Sequence, residues 1–192
     1  MERTVAGLTV SPWRLVRGGV RRRLRHGRTF RRMLAEMEAR ERWGVDQLRA
    51  YQEERLRELL VTCARHVPYY VDLFRREGLD PERLAPWELM ARIPPLEKSE
   101  VRRDPERFRN QATHRRLLHK AYTGGTTGTP LICWRDLHAI NFENAMIWRQ
   151  RRWAGFGFDD RRVTLRGDLP VPTSRISPPY WQYDAAERQL VM

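Results

Sequence analysis

The sequence predicts an α/β fold on three observations: a helical apolar stripe between residues 46 and 67, short apolar strands further along, and a glycine- and threonine-rich loop between two of them. Asp46 is expected to cap a helix carrying Leu48, Tyr51, Leu56, Leu59, Leu60, Cys63, Ala64 and Val67, ended by Pro68, with this stripe facing the core. Asp80-Pro81 is expected to open a short helix with Leu84, Trp87 and Leu89 as its apolar residues. His119 to Tyr122 feeds the loop, and Leu131 to Trp134 leaves it as a buried strand. Asp136 is placed to cap a further helix through Ile140, Ala145, Ile147 and Trp148 to about Trp153, closed by Gly155 and Gly157. Val163-Thr164-Leu165 then reads as a strand, and no internal repeat is found.

The loop is Thr123-Gly124-Gly125-Thr126-Thr127-Gly128-Thr129-Pro130, with three glycines and four threonines in its first seven residues. Glycine lets backbone N–H groups converge on an anion, and each hydroxyl can donate one more hydrogen bond to a phosphate oxygen. A plain turn between strands uses the same backbone freedom, so spacing alone leaves both readings open. The loop lacks the Gly-Lys-Ser/Thr ending of the loop that opens a helix in many ATPases and GTPases.

Taken with its surroundings, this loop resembles the phosphate-binding signature of the adenylate-forming superfamily, in particular the phenylacetate-CoA ligase branch with its CapK-like proteins of polysaccharide gene clusters. The resemblance rests on Arg65-His66-Val67-Pro68-Tyr69-Tyr70, Leu73-Phe74, Gly78-Leu79 and Ile93-Pro94-Pro95-Leu96-Glu97-Lys98 before the loop. After it come Trp148, Trp153-Ala154-Gly155, Leu165-Arg166-Gly167-Asp168-Leu169 and Pro178-Pro179-Tyr180-Trp181, in the same order. It covers roughly residues 46–192. Two positions depart from the pattern: Gly124 stands where the superfamily usually has Ser, and Leu131 where many relatives carry Lys.

The resemblance implies activation of a carboxylic acid by Mg-ATP to an acyl-adenylate, then transfer to a thiol, with coenzyme A the expected acceptor. It implies cofactor-binding roles for Thr123, Gly124, Gly125, Thr126, Thr127, Gly128 and Asp168, with Thr126 and Thr127 on the β- and γ-phosphates and Thr123 and Thr129 shaping the loop. The family's enzymes are much longer and carry a catalytic lysine on a C-terminal lid, so no catalytic residue is assigned. The expected organisation is an Arg-rich extension over 1–45, partly disordered or a surface helix, followed by an incomplete N-terminal AMP-binding domain over 46–192. Such a chain is expected to be inactive alone, from a truncated gene or as one part of a split enzyme with a complementary C-terminal polypeptide. The closing run Ala185 to Met192 is apolar at its end and shows no closing turn.

Residues 1–45 hold twelve arginines against four acidic residues, which is +8 of the chain's net +13. The excess is therefore local. Only Lys98 and Lys120 are lysines, a bias that argues for coding composition over selected phosphate contacts. The run from Arg14 to Arg32 alternates with Trp13, Val16, Val20 and Leu24 but is broken by Gly18-Gly19 and Gly27. A solvated extension fits it best, ahead of a peripheral contact with an anionic membrane surface, with nucleic acid last. No apolar run approaches the roughly 20 residues needed to span a bilayer, and a cytoplasmic location is expected.

Cys63 and Cys133 read as buried thiols of a reducing compartment, without zinc-ligand spacing. His66 and His138 read as helix-surface or capping residues, Tyr69 and Tyr70 as packing beside a helix end, and Trp148 and Trp153 as core. Two other functional classes fit the same residues: a non-catalytic scaffold or remnant subunit, and an Arg-rich adaptor for polyanions or membrane surfaces.

Overall fold

A computed structural model describes residues 3–5, 8–10, 26–123, 130–165, 170–185 and 187–192. Helix and sheet are mixed, consistent with the α/β class. At the N-terminus β1 (Arg3–Val5) pairs antiparallel with β2 (Leu8–Val10), Thr4 opposite Thr9. The chain falls into two compact units, residues 39–140, and residues 1–38 with 141–192.

The 39–140 unit contains α2 (Val45–His66), α3 (Pro68–Arg76), α4 (Pro86–Arg92), α5 (Lys98–Arg103) and the hairpin β3 (His119–Tyr122) with β4 (Ile132–Arg135). Helix α2 is capped two residues before the expected position. Gly44 takes the extended N-cap conformation and its N–H donates to Gln47 Oε1 at 3.1 Å. Asp46 sits inside the first turn, where its charge favours the positive end of the helix dipole. Pro68 does end α2, because it pushes Val67 into an extended conformation, and it then serves as the first residue of α3.

The core of this unit is Leu60, Leu73, Phe74, Leu79 and Leu89, with Leu56, Ala64, Tyr69, Tyr70, Leu84 and Ile93 packed against it. The α2 stripe is narrower than the sequence predicts: Leu56, Leu60 and Ala64 make the seam, while Leu48 and Leu59 are exposed, Leu59 at 58%. Asp80-Pro81 forms a turn and not a helix. Asp80 Oδ1 accepts the Glu82 N–H at 2.9 Å, and Ala85, extended before Pro86, delays the helix to α4. Leu89 of α4 is buried, whereas Trp87 is exposed.

Helix α3 ends in a six-to-one bond from Leu79 N–H to Phe74 carbonyl (2.9 Å) and a bond from Gly78 N–H to Arg75 carbonyl (3.4 Å), with Gly78 at φ +63. This left-handed cap turns Leu79 back onto Phe74 in the core. An added Cβ at Gly78 meets nothing within 4 Å, so only the backbone conformation is at stake. Gly78→Ala is therefore expected to cost about 1 kcal/mol, measured by urea denaturation.

In the other unit, α1 (Arg28–Arg40) buries Phe30, Met33, Leu34 and Met37 against Ala145 and Trp148 of α6 (Leu137–Trp153). Part of the stretch read as an Arg-rich extension is thus a helix with a buried face. Its stripe, at spacings of three and four, lies among arginines that point to solvent. Asp136 caps α6 as expected, its Oδ1 accepting the Ala139 N–H at 2.7 Å. Gly155, at φ +82, closes the helix. Trp148 is buried as predicted, but Trp153 is 61% exposed and belongs to no core.

The same unit carries a three-stranded sheet. Strand β7 (Gln189–Val191) is central, parallel to β5 (Arg162–Thr164) and antiparallel to β6 (Gln182–Asp184), with Leu190 opposite both Val163 and Tyr183. Gln189–Val191 of the closing apolar run is thus a paired strand. Among the described residues no helix is long and apolar enough to cross a membrane.

Candidate functional site

The strands around the glycine-threonine loop pair as the sequence predicts. β3 and β4 run antiparallel, with His119 opposite Arg135, Lys120 opposite Trp134, Ala121 opposite Cys133 and Tyr122 opposite Ile132. One step beyond Tyr122, the Thr123 N–H donates to the Leu131 carbonyl at 3.1 Å, and the Leu131 N–H donates to Thr123 Oγ1 at 2.9 Å. Backbone and hydroxyl of one residue thus close the neck of the loop. That gives Thr123 a loop-shaping role, and its hydroxyl, which accepts this bond, keeps its own O–H to donate. Gly124, Gly125, Thr126, Thr127, Gly128 and Thr129 lie outside the described residues, as does Asp168.

The hairpin is cationic. The ammonium of Lys120 lies 5.1 Å from the centre of the Trp134 ring and the Arg115 guanidinium 5.5 Å from it, a pairing in which the indole face holds positive charge beside the strands. β4 is only half-buried and its Cys133 is exposed, which corrects the expectation of a buried strand and a buried thiol. A hairpin of two strands has no second layer on one side, and alternate residues then meet water.

The remaining candidates are structural. Burial pushes the Cys63 thiol up, the opposite of what a reactive thiolate needs. Tyr69 stacks on Phe108 at 4.5 Å and donates to Glu100 Oε2 at 3.0 Å; burial first, and that hydrogen bond second, raise its phenol. Burial also raises Tyr70. His66 ends α2 with its carbonyl accepting the Gln111 N–H at 2.8 Å, and His138 is exposed in the first turn of α6.

One polar group escapes sequence reasoning altogether. Arg162 and Glu187, with side chains 11% and 9% exposed, form an ion pair at 3.0 Å. His26 lies beside them, accepting the Trp148 indole N–H at 3.2 Å. These residues share no spacing motif, and only the folded chain brings them together.

Comparison with known proteins gives one informative likeness. Over 88 residues the chain is 35% identical to the phenylacetate-coenzyme A ligase of Thermus thermophilus. No family model matches the chain, and no solved structure does. The match takes in 45% of this chain but spans only a fifth of that relative's length, so it establishes a partial similarity to a ligase of this kind.

Proposed function

We propose that this chain supplies the nucleotide-gripping part of an enzyme that activates a carboxylic acid with ATP, in the manner of the N-terminal portion of a phenylacetate-CoA ligase. The observation that carries the reading is the β3–β4 hairpin, whose neck, closed by Thr123 and Leu131, subtends a segment of glycines and threonines. The partial identity to the Thermus ligase supports it. The surroundings fit an anion: Lys120, Arg115 and Arg135 sit on or beside the hairpin, and loop amides and hydroxyls are all hydrogen-bond donors.

In this reading the amides of Gly124, Gly125 and Gly128 and the hydroxyls of Thr126 and Thr127 hold the β- and γ-phosphates, with Asp168 a further nucleotide contact. Among the described residues no cluster of His, Cys, Asp or Glu is arranged to hold a metal ion. In this reading Mg²⁺ arrives with the nucleotide and offsets charge on its phosphates. A carboxylate oxygen attacks the α-phosphorus, the bond to the bridging oxygen breaks, and pyrophosphate departs with the loop donors still on it. The sulfur of a thiol, coenzyme A in this proposal, then attacks the acyl carbon and AMP leaves.

Thermal melting with and without Mg-ATP tests the site in the chain as it stands. Nucleotide at about 100 times its dissociation constant adds about 2.7 kcal/mol, which for a protein of this size is a rise of roughly 5–10 °C. A melting curve indifferent to millimolar Mg-ATP would reject the proposal in favour of a scaffold without a nucleotide site.

A further inference from the structure

We propose that His26, Trp148, Arg162 and Glu187 form a proton-sensitive latch that ties the residues before α1 to α6 and to the turn between β6 and β7. An indole N–H only donates, so the hydrogen bond from Trp148 requires a lone pair on His26 Nε2 and places the ring proton on Nδ1. Proton uptake occurs at Nε2. It removes the acceptor from an indole that is 1% exposed, and the N–H it creates points at the indole nitrogen, with Glu187 Oε2 3.9 Å away.

Glu187 is built to receive it. Its Oε2 accepts from Arg162, while its buried Oε1 has no hydrogen-bond partner. A small turn of the imidazolium toward that oxygen trades the indole bond for a charge-assisted one. The latch then passes from α6 to the β6–β7 turn, and Trp148 is left with an orphaned donor in the core.

Several charged groups surround Trp148, His26 and Phe158. From β5 comes Arg162, bonded also to Gln189 Oε1 at 3.1 Å and lying 5.1 Å over the Trp148 ring. From α6 come Arg151, 4.9 Å over the same indole, and Arg152, 4.9 Å over Phe158 and paired with Glu38 at 3.0 Å. From the β6–β7 turn comes Glu187, whose N–H donates to Asp184 Oδ1 at 3.2 Å. From α1 comes the Phe30 ring, 4.9 Å from that of His26.

An NMR titration from about pH 7.5 to 5 tests the latch through the Trp148 indole proton and the His26 ring protons. The indole signal is expected to lose its hydrogen-bonded shift and its exchange protection in step with His26. His26→Gln keeps a neutral acceptor for the indole and should remove that step. Glu187→Gln keeps the indole bond but withdraws the carboxylate, and should move the step to lower pH. An indole signal that stays fixed while His26 titrates would overturn the proposal, and so would a His26→Gln protein with the wild-type pH step. The wild-type titration decides alone if the variants do not fold.

Discussion

Trp148→Ala is expected to destabilise the unit formed by residues 1–38 and 141–192 by about 3–5 kcal/mol, the largest single-residue stability loss we anticipate. The ring is 1% exposed and lies against Phe158 at 4.5 Å and His26 at 5.7 Å, within a cluster that also holds Phe30, Met33, Leu34, Met37 and Ala145. Truncation removes the largest side chain of that cluster and leaves a cavity that α6, capped at Asp136 and closed at Gly155, does not collapse to fill. The guanidinium groups of Arg151 and Arg162 lose the indole face they lie over. Trp148→Phe separates the contributions: it keeps most of the volume and loses the indole N–H, so a smaller cost of about 1–2 kcal/mol is expected. Urea denaturation of the two variants measures both. A loss below about 1 kcal/mol for the alanine variant would show that this cluster does not consolidate the unit.

What the sequence made legible was what local chemistry dictates. The Asp136 cap, the stop at Pro68, the hairpin around the glycine-threonine segment and the strand near Val163 depend on residues within a turn or two of each other, and all are present. The errors arose where two local signals competed or where tertiary packing chose between faces. Asp80-Pro81 and Ala85-Pro86 both offer a helix start, and only the second is followed by residues whose burial of Leu89 stabilises a helix. Leu59 and Trp153 satisfy a helical apolar period, yet each lies one position off the face that meets a partner. In α1 the count of arginines drew attention away from Phe30, Met33, Leu34 and Met37, a regular stripe that the moment of the helix alone could have exposed. The pair Arg162 and Glu187, 25 residues apart, had no sequence signal, because only the pairing of β5 with β7 brings Arg162 to the turn before β7. Within the site, Thr123 is placed at the neck of the hairpin, while the remaining loop positions and Asp168 lie outside the described residues.

Replacing both Thr126 and Thr127 by Val should abolish most of the Mg-ATP-dependent rise in melting temperature while leaving the nucleotide-free protein unchanged. Val keeps the β-branched shape of Thr and deletes only the hydroxyl, so the change removes hydrogen-bond donors without altering backbone preference. A hydrogen bond to a charged group contributes about 1.5–3 kcal/mol, and every 1.4 kcal/mol is tenfold in affinity. Losing two such bonds should therefore weaken nucleotide binding by a factor of at least about 100. Thr123→Val is the discriminating control. Its hydroxyl accepts the Leu131 N–H at the neck, so its loss should lower the stability of the hairpin by about 1 kcal/mol and affect nucleotide binding only through the shape of the loop. If the Thr126 and Thr127 double variant bound Mg-ATP as tightly as the wild type, the loop hydroxyls would have no phosphate to hold. If Thr123→Val proved the more damaging of the two for nucleotide binding, with the fold intact, the neck and the grip would have to exchange roles.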